Sequence, residues 1–96
     1  MQKLQDELGK WSDETFGASR SPIGSINHMK EECDELLEDP YDLYEYADVL
    51  HLLLDSVRKA GYTTEDLMMA AWNKLEVNKN RTWGEPDEFG VVRHIK

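Results

Sequence analysis

Nine carboxylates fall between residues 31 and 48: Glu31, Glu32, Asp34, Glu35, Glu38, Asp39, Asp42, Glu45 and Asp48. That window holds no Lys or Arg. The 96-residue chain has 20 acidic and 11 basic residues, so the window accounts for the whole net charge of −9. An acidic run can be no more than a solvated face. Spacing argues for more. Helical residues three or four apart share a face, which groups Glu31 or Glu32 with Glu35 and Glu45 with Asp48. A short connection around Asp39-Pro40 would make the two helices antiparallel neighbours, bringing the pairs to similar height. Two carboxylates about 4 Å apart repel by roughly 4 kcal/mol at an effective dielectric near 20. Converging carboxylates therefore need a cation or must turn to water. All-oxygen ligands favour Mg²⁺, Mn²⁺ or Ca²⁺. No EF-hand loop is present, one Cys and three His disfavour zinc, and only Asp48 with His51 approximates a di-iron pair. Mg²⁺ usually shares its shell with substrate phosphates, so this grouping predicts a phosphate-bearing ligand.

A cationic counterpart lies further along. Lys74, Asn78 and Arg81 are spaced four and three apart on one helical face beside Ala70 and Ala71. Lys and Arg can clamp phosphate oxygens, and Asn can donate to a phosphate or a base edge. The plain alternative is a set of surface cations favoured near a helix C-terminus.

Four helices are needed to position these residues, and the fold class is all-α, a small four-helix bundle. The first covers about residues 2–16, with Leu4, Leu8, Trp11 and Phe16 as its apolar stripe. The second runs from about Ser25 to Glu38. The third is expected from Pro40 to Lys59, with Asp39 as N-cap and Pro40 in the first turn. The fourth covers about 64–80, opened by a capping box of Thr63 and Asp66. A short irregular tail follows Arg81, in which residues 91–95 could be extended. The third helix is apolar beyond one stripe, which marks it as central or as facing a second subunit.

Length bounds the rest. The chain reads as a single domain over 1–96, short enough that a metal, ligand or partner subunit would help stabilise it. The acidic balance disfavours nucleic acid and anionic membrane surfaces. Cys33 is the single cysteine, so no internal disulfide is expected. No apolar run approaches a membrane span and the first residues lack a signal-peptide core, so a cytoplasmic location is expected.

The motifs together resemble a known family. Glu31-Glu32-x-x-Glu35 followed by Glu45-x-x-Asp48 is similar to the signature of the all-α NTP pyrophosphohydrolases, the MazG-like superfamily that includes the dimeric dUTPases. Lys74-x-x-x-Asn78-x-x-Arg81 resembles the motif that follows it. Trp11-Ser12-Asp13-Glu14-Thr15-Phe16-Gly17, His28-Met29-Lys30-Glu31-Glu32 and Asn80-Arg81-Thr82-Trp83-Gly84 narrow the likeness to the dATP/dGTP diphosphohydrolase branch, which includes the phage MazZ enzymes.

The resemblance implies hydrolysis of a purine dNTP between the α and β phosphates to dNMP and pyrophosphate, with Mg²⁺ or Mn²⁺ and more than one ion per site. It implies Glu32, Glu35, Glu45 and Asp48 as metal ligands and Glu31 as a further ligand or the base that positions water. Glu31 and Glu32 are thus the expected catalytic carboxylates. Lys74, Asn78 and Arg81 would hold the triphosphate. Trp11 is the candidate to stack the base, against a role in helix packing, and His28 could touch the base or support a metal ligand. Homo-oligomers are implied, with a tetramer built as a dimer of dimers expected. Two alternatives stand beside this: a house-cleaning pyrophosphatase for pyrimidine or damaged nucleotides, and a non-catalytic acidic helical interaction module.

Overall fold

The computed structural model describes residues 1–95. It holds four helices: α1 (Gln2–Phe16), α2 (Ile23–Glu38), α3 (Leu43–Lys59) and α4 (Thr64–Lys79). The all-α expectation holds, with no strand among the described residues. The tail carries one isolated antiparallel bridge, Trp83 to His94. Among the described residues no helix is long and apolar enough to cross a membrane.

Local chemistry explains three of the boundaries. Gly17 ends α1 at φ 85°, a left-handed conformation that side chains rarely adopt. At α4 the Thr63 hydroxyl accepts from the Asp66 amide and the Asp66 carboxylate accepts from the Thr63 amide, completing the capping box. The start of α3 departs from expectation. The cap is Asp42, whose carboxylate accepts from the Tyr44 amide at 2.9 Å. Asp39 instead accepts through its carbonyl from the Asp42 amide, so Pro40 and Tyr41 sit in a turn before the helix. Two Asp residues competed for one role, and the later one won because the turn consumes the earlier one.

α3 is the hub. It packs against α2 along most of its length and against α1 and α4 more locally; α2 and α4 do not pack on each other. The buried set is small: Leu54 is the one buried hydrophobic side chain among the described residues, accompanied by Gln5, Ser12, Ser25, Asp55, Ser56 and Thr64. The radius of gyration, 15.6 Å, exceeds the roughly 12 Å of a compact domain of this length. Trp11, Phe16, Leu37, Leu43 and Trp72 are all more than half exposed. The apolar stripe of α1 therefore does not form a core within one chain.

Polar contacts fix α1 instead. The Gln5 amide donates to the Leu54 and Tyr62 carbonyls at 3.2 and 3.3 Å, and the Gln2 side-chain carbonyl accepts from the Thr64 amide and hydroxyl. The Thr64 amide is one of the donors that a helix start leaves open, and the Gln2 side chain satisfies it. Arg58 lies across α1 and reaches Asp13 with two 3.2 Å bonds. Gly9 makes room for it: a Cβ there would stand 2.6 Å from Arg58 Cδ.

Candidate functional site

The helical spacing of α2 and α3 delivers the predicted convergence. Glu32 and Glu35 from α2 and Glu45 from α3 each offer a carboxylate oxygen within 4.8 Å of the others. Glu32 and Glu45 are half-buried and Glu35 is exposed. Glu32 Oε2 and Glu45 Oε2 are shielded from solvent and have no hydrogen-bond partner. An orphaned anionic oxygen is costly to hold, so the arrangement is unstable by itself.

The protonation tendencies agree. The Glu32 carboxyl is raised above its ordinary range, first by a hydrogen bond shared with the Glu35 carboxyl, then by burial and by the charges of Glu35 and Asp48; His28 opposes the shift. Glu45 is also raised, by burial first and then by Glu35, Asp42 and Asp48. Both respond to negative potential that a divalent cation would cancel. The donor set is all oxygen, which suits Mg²⁺ or Mn²⁺. Asp48 thus lies within electrostatic reach of both glutamates. Glu31, one residue before Glu32, is exposed and falls outside the three-carboxylate group.

Of the three, Glu32 alone lines a cavity of about 500 Å³ walled by α1, α2 and α3, two helical turns from Ser25 at its other end. Glu32, Asp48 and His28 line it, with His28 Nε2 3.3 Å from Glu32 Oε1. Trp11 and Phe16 form an aromatic wall, edge to face at 5.4 Å. Trp11 thus lines the same cavity as Glu32 and Asp48.

The opposite end was not foreseen. Ser25, Asp55 and Lys59 line it. Asp55 accepts from Ser25 Oγ and from Arg58 Nη2 at 2.7 Å, and Lys59 Nζ stands 2.9 Å from Asp55 Oδ2. Burial resists ionisation of Asp55, but the bonds from Ser25, Arg58 and Lys59 outweigh it and leave the carboxyl below its ordinary range. One signal was available in the sequence: Asp55 follows Asp48 by seven residues, two turns on the same helix face.

The cationic triad is elsewhere. Lys74 is exposed on α4, while Asn78 and Arg81 are half-buried and adjacent, Arg81 Nη1 3.5 Å from Asn78 Oδ1. The Asn78 carbonyl accepts from Trp83 Nε1 at 2.7 Å, which ties the tail to this face. Because α4 does not pack on α2, the triad and the carboxylate group occupy separate parts of the chain.

Comparisons with known proteins converge. A family model described as dATP/dGTP pyrophosphohydrolase matches residues 4–96. The chain is 39% identical over 95 residues to the Eaa protein of Salmonella phage P22, covering 99% of this chain and 30% of that protein. It is 34% identical over 93 residues to a dATP/dGTP diphosphohydrolase of Salmonella phage PMBT28, covering 96% of this chain and again 30% of the relative. The chain thus spans about a third of the length of these curated relatives. Among solved structures it matches the MazG-like pyrophosphohydrolase of cyanophage S-2L, bound to dGDP and three catalytic Mn²⁺ ions per active site. The TM-score is 0.81 at 34% identity, over 98% of this chain and 95% of that one. With a fold shared along its whole length and a family match that starts at Leu4, this chain belongs to the dATP/dGTP pyrophosphohydrolase family.

Proposed function

We propose that this chain is a single catalytic domain that hydrolyses a purine deoxynucleoside triphosphate to the monophosphate and pyrophosphate. The observation that carries the reading is the meeting of Glu32, Glu35 and Glu45 beside an aromatic-walled cavity, with two carboxylate oxygens shielded and unpartnered. Glu32, Glu35, Glu45 and Asp48 would hold Mg²⁺ or Mn²⁺. Such ions neutralise phosphate charge and lower the pKa of water for in-line attack on the α-phosphorus. Glu31, exposed beside Glu32 in the sequence, would serve as a further ligand or orient the water. Trp11 and Phe16 offer the base a stacking surface, and His28 holds Glu32.

Lys74, Asn78 and Arg81 bind the triphosphate in this reading, although α4 does not approach α2 within one chain. Assembly resolves this. The open shape, the lone buried hydrophobic residue and the exposed aromatics all favour further subunits. We assign a homotetramer, a dimer of dimers, in which the cationic face of one chain serves the carboxylates of another. Light scattering coupled to size exclusion tests this: a monodisperse active monomer contradicts it.

The activity itself is tested by incubating the protein with each dNTP and Mg²⁺ or Mn²⁺. Monophosphate and pyrophosphate are expected from purine substrates. Orthophosphate alone, or no turnover with any nucleotide and no metal binding, overturns the reading; the second result fits an interaction module. Arg81→Ala should weaken nucleotide binding and spare metal binding.

A further inference from the structure

We propose that Trp83 is a positioning residue: seated by the folded-back tail, its indole closes the end of α4 and holds Arg81 where it grips the triphosphate. This rests on the reading above that Asn78 and Arg81 bind phosphate.

The helix end comes first. α4 stops at Lys79, and its last carbonyls have no partner within the helix. No left-handed glycine caps it; the capping residue is Asn80 at φ −94°. The residues that follow supply the donors instead. Asn80 gives its side-chain amide to the Glu76 carbonyl at 2.9 Å and its backbone amide to the Val77 carbonyl at 3.1 Å. The Asn78 carbonyl takes two donors, the Arg81 amide at 3.2 Å and the Trp83 indole at 2.7 Å. The indole bond ties Trp83 back to Asn78, so Arg81 sits inside a closed loop of six residues and is kept from fraying with the helix end. Arg81 and Asn78 are half-buried, their side chains 3.5 Å apart, while Lys74 one turn earlier is exposed. A free arginine samples many rotamers, and fixing its backbone in advance lowers the cost of ordering its fork around an anion.

The tail seats Trp83. After α4 the chain folds back on itself: the Gly84 amide donates to the Arg93 carbonyl at 2.8 Å, the Asp87 amide to the Val91 carbonyl at 2.9 Å, and the Ile95 amide to the Thr82 carbonyl. His94 stands opposite Trp83 in this pairing, and its ring meets the indole edge to face at 5.8 Å. Asp87 pins the turn, its carboxylate accepting from the Phe89 and Val91 amides and from Arg93, each at 2.9 Å. Trp83 is 42% exposed, so it adds little to a core, and its one donor is committed to Asn78.

The test compares wild type, Trp83→Phe, Arg81→Ala and the double variant on dGTP with Mg²⁺. Phenylalanine keeps a ring against His94 and removes the N–H. KM should rise by about three- to tenfold, the net contribution of one hydrogen bond, with kcat within about twofold of wild type. In the Arg81→Ala background the same change should do nothing further, because Trp83 acts through Arg81. Binding of inorganic tripolyphosphate with Mg²⁺, followed by calorimetry, should weaken in parallel and needs no turnover. If wild type hydrolyses no nucleotide yet Trp83→Phe weakens tripolyphosphate binding only when Arg81 is present, the catalytic reading fails and this one stands. Unchanged KM and tripolyphosphate binding in Trp83→Phe, a loss in kcat alone, or a full further loss in the Arg81→Ala background overturns it. So does wild-type affinity in Arg81→Ala. Should Trp83→Phe fail to fold, Asp87→Ala, which loosens the tail at its exposed turn, decides: a raised KM supports the proposal and a wild-type KM overturns it.

Discussion

The two ends of the cavity hold the same functional group in opposite circumstances. At one end Asp55 is nearly sealed from solvent and fully partnered by Ser25, Arg58 and Lys59. At the other, Glu32, Glu35 and Glu45 crowd together with no cation from the chain, and two of their oxygens lack any partner. Both ends are built from the same pair of helices, two turns apart. The carboxyl of Asp55 is pulled below its ordinary range while those of Glu32 and Glu45 are pushed above theirs. Burial opposes the charge at both ends, so the difference lies in the partners. Where the chain supplies the counter-charge, the carboxylate holds helices together. Where it does not, the carboxylates form a group that could hold an ion from outside.

Substitutions at the unpartnered end give the largest expected effect. Glu35→Gln or Asp48→Asn should lower turnover by roughly 10²–10³-fold or more, since each removes a charge facing the ions. Circular dichroism should show unchanged helix content. Wild-type rates in both variants would remove these residues from the ligand set.

At the partnered end the effect falls on stability. Asp55→Asn leaves Arg58 and Lys59 half-buried without their shared anion, and should cost about 2–4 kcal/mol in denaturant unfolding. Gly9→Ala is expected to cost about 1–3 kcal/mol, because the new Cβ meets Arg58, which is anchored at both ends by Asp13 and Asp55 and cannot simply swing away. A neutral result at Gly9 would show that the Arg58 bridge is slack.

The pH response should also separate the two ends. Asp55 has a depressed folded-state pKa, so its contribution is present above the carboxylate's unfolded pKa and is lost as pH falls through the folded value. Glu32 has a raised folded-state pKa, so its relative stabilisation is present below the unfolded pKa and is lost as pH rises through the folded value. Metal-free Glu32→Gln should therefore be slightly more stable than wild type at neutral pH, and Mn²⁺ should erase the advantage by stabilising only the wild type. Thermal melts with and without Mn²⁺ measure both.

What the sequence made legible follows the range of each interaction. The carboxylate group depends on spacings of three and four residues within helices and one short connection, so Glu32, Glu35 and Glu45 could be placed together in advance. The capping box at Thr63 is equally local. The inward face of α1 was not legible. Leu4, Leu8, Trp11 and Phe16 form a clear apolar stripe, yet Gln5, Gly9 and Ser12 are the residues that are buried. Their partners, the carbonyls of Leu54 and Tyr62 and the side chain of Arg58, lie about fifty residues away and carry no periodic signature. Lys59 escaped notice for the same reason. At the end of a helix it reads as a dipole-complementing cation, while its partner Ser25 comes from α2, thirty-four residues earlier.

The central claim is that the unpartnered carboxylates gather divalent ions that grip a triphosphate. The most direct measurement is anomalous diffraction from crystals soaked in Mn²⁺ with a nonhydrolysable dGTP analogue. The account predicts manganese peaks among Glu32, Glu35, Glu45 and Asp48, with the phosphates against them. Carboxylates turned out to solvent, with no manganese among them in any subunit, would contradict it.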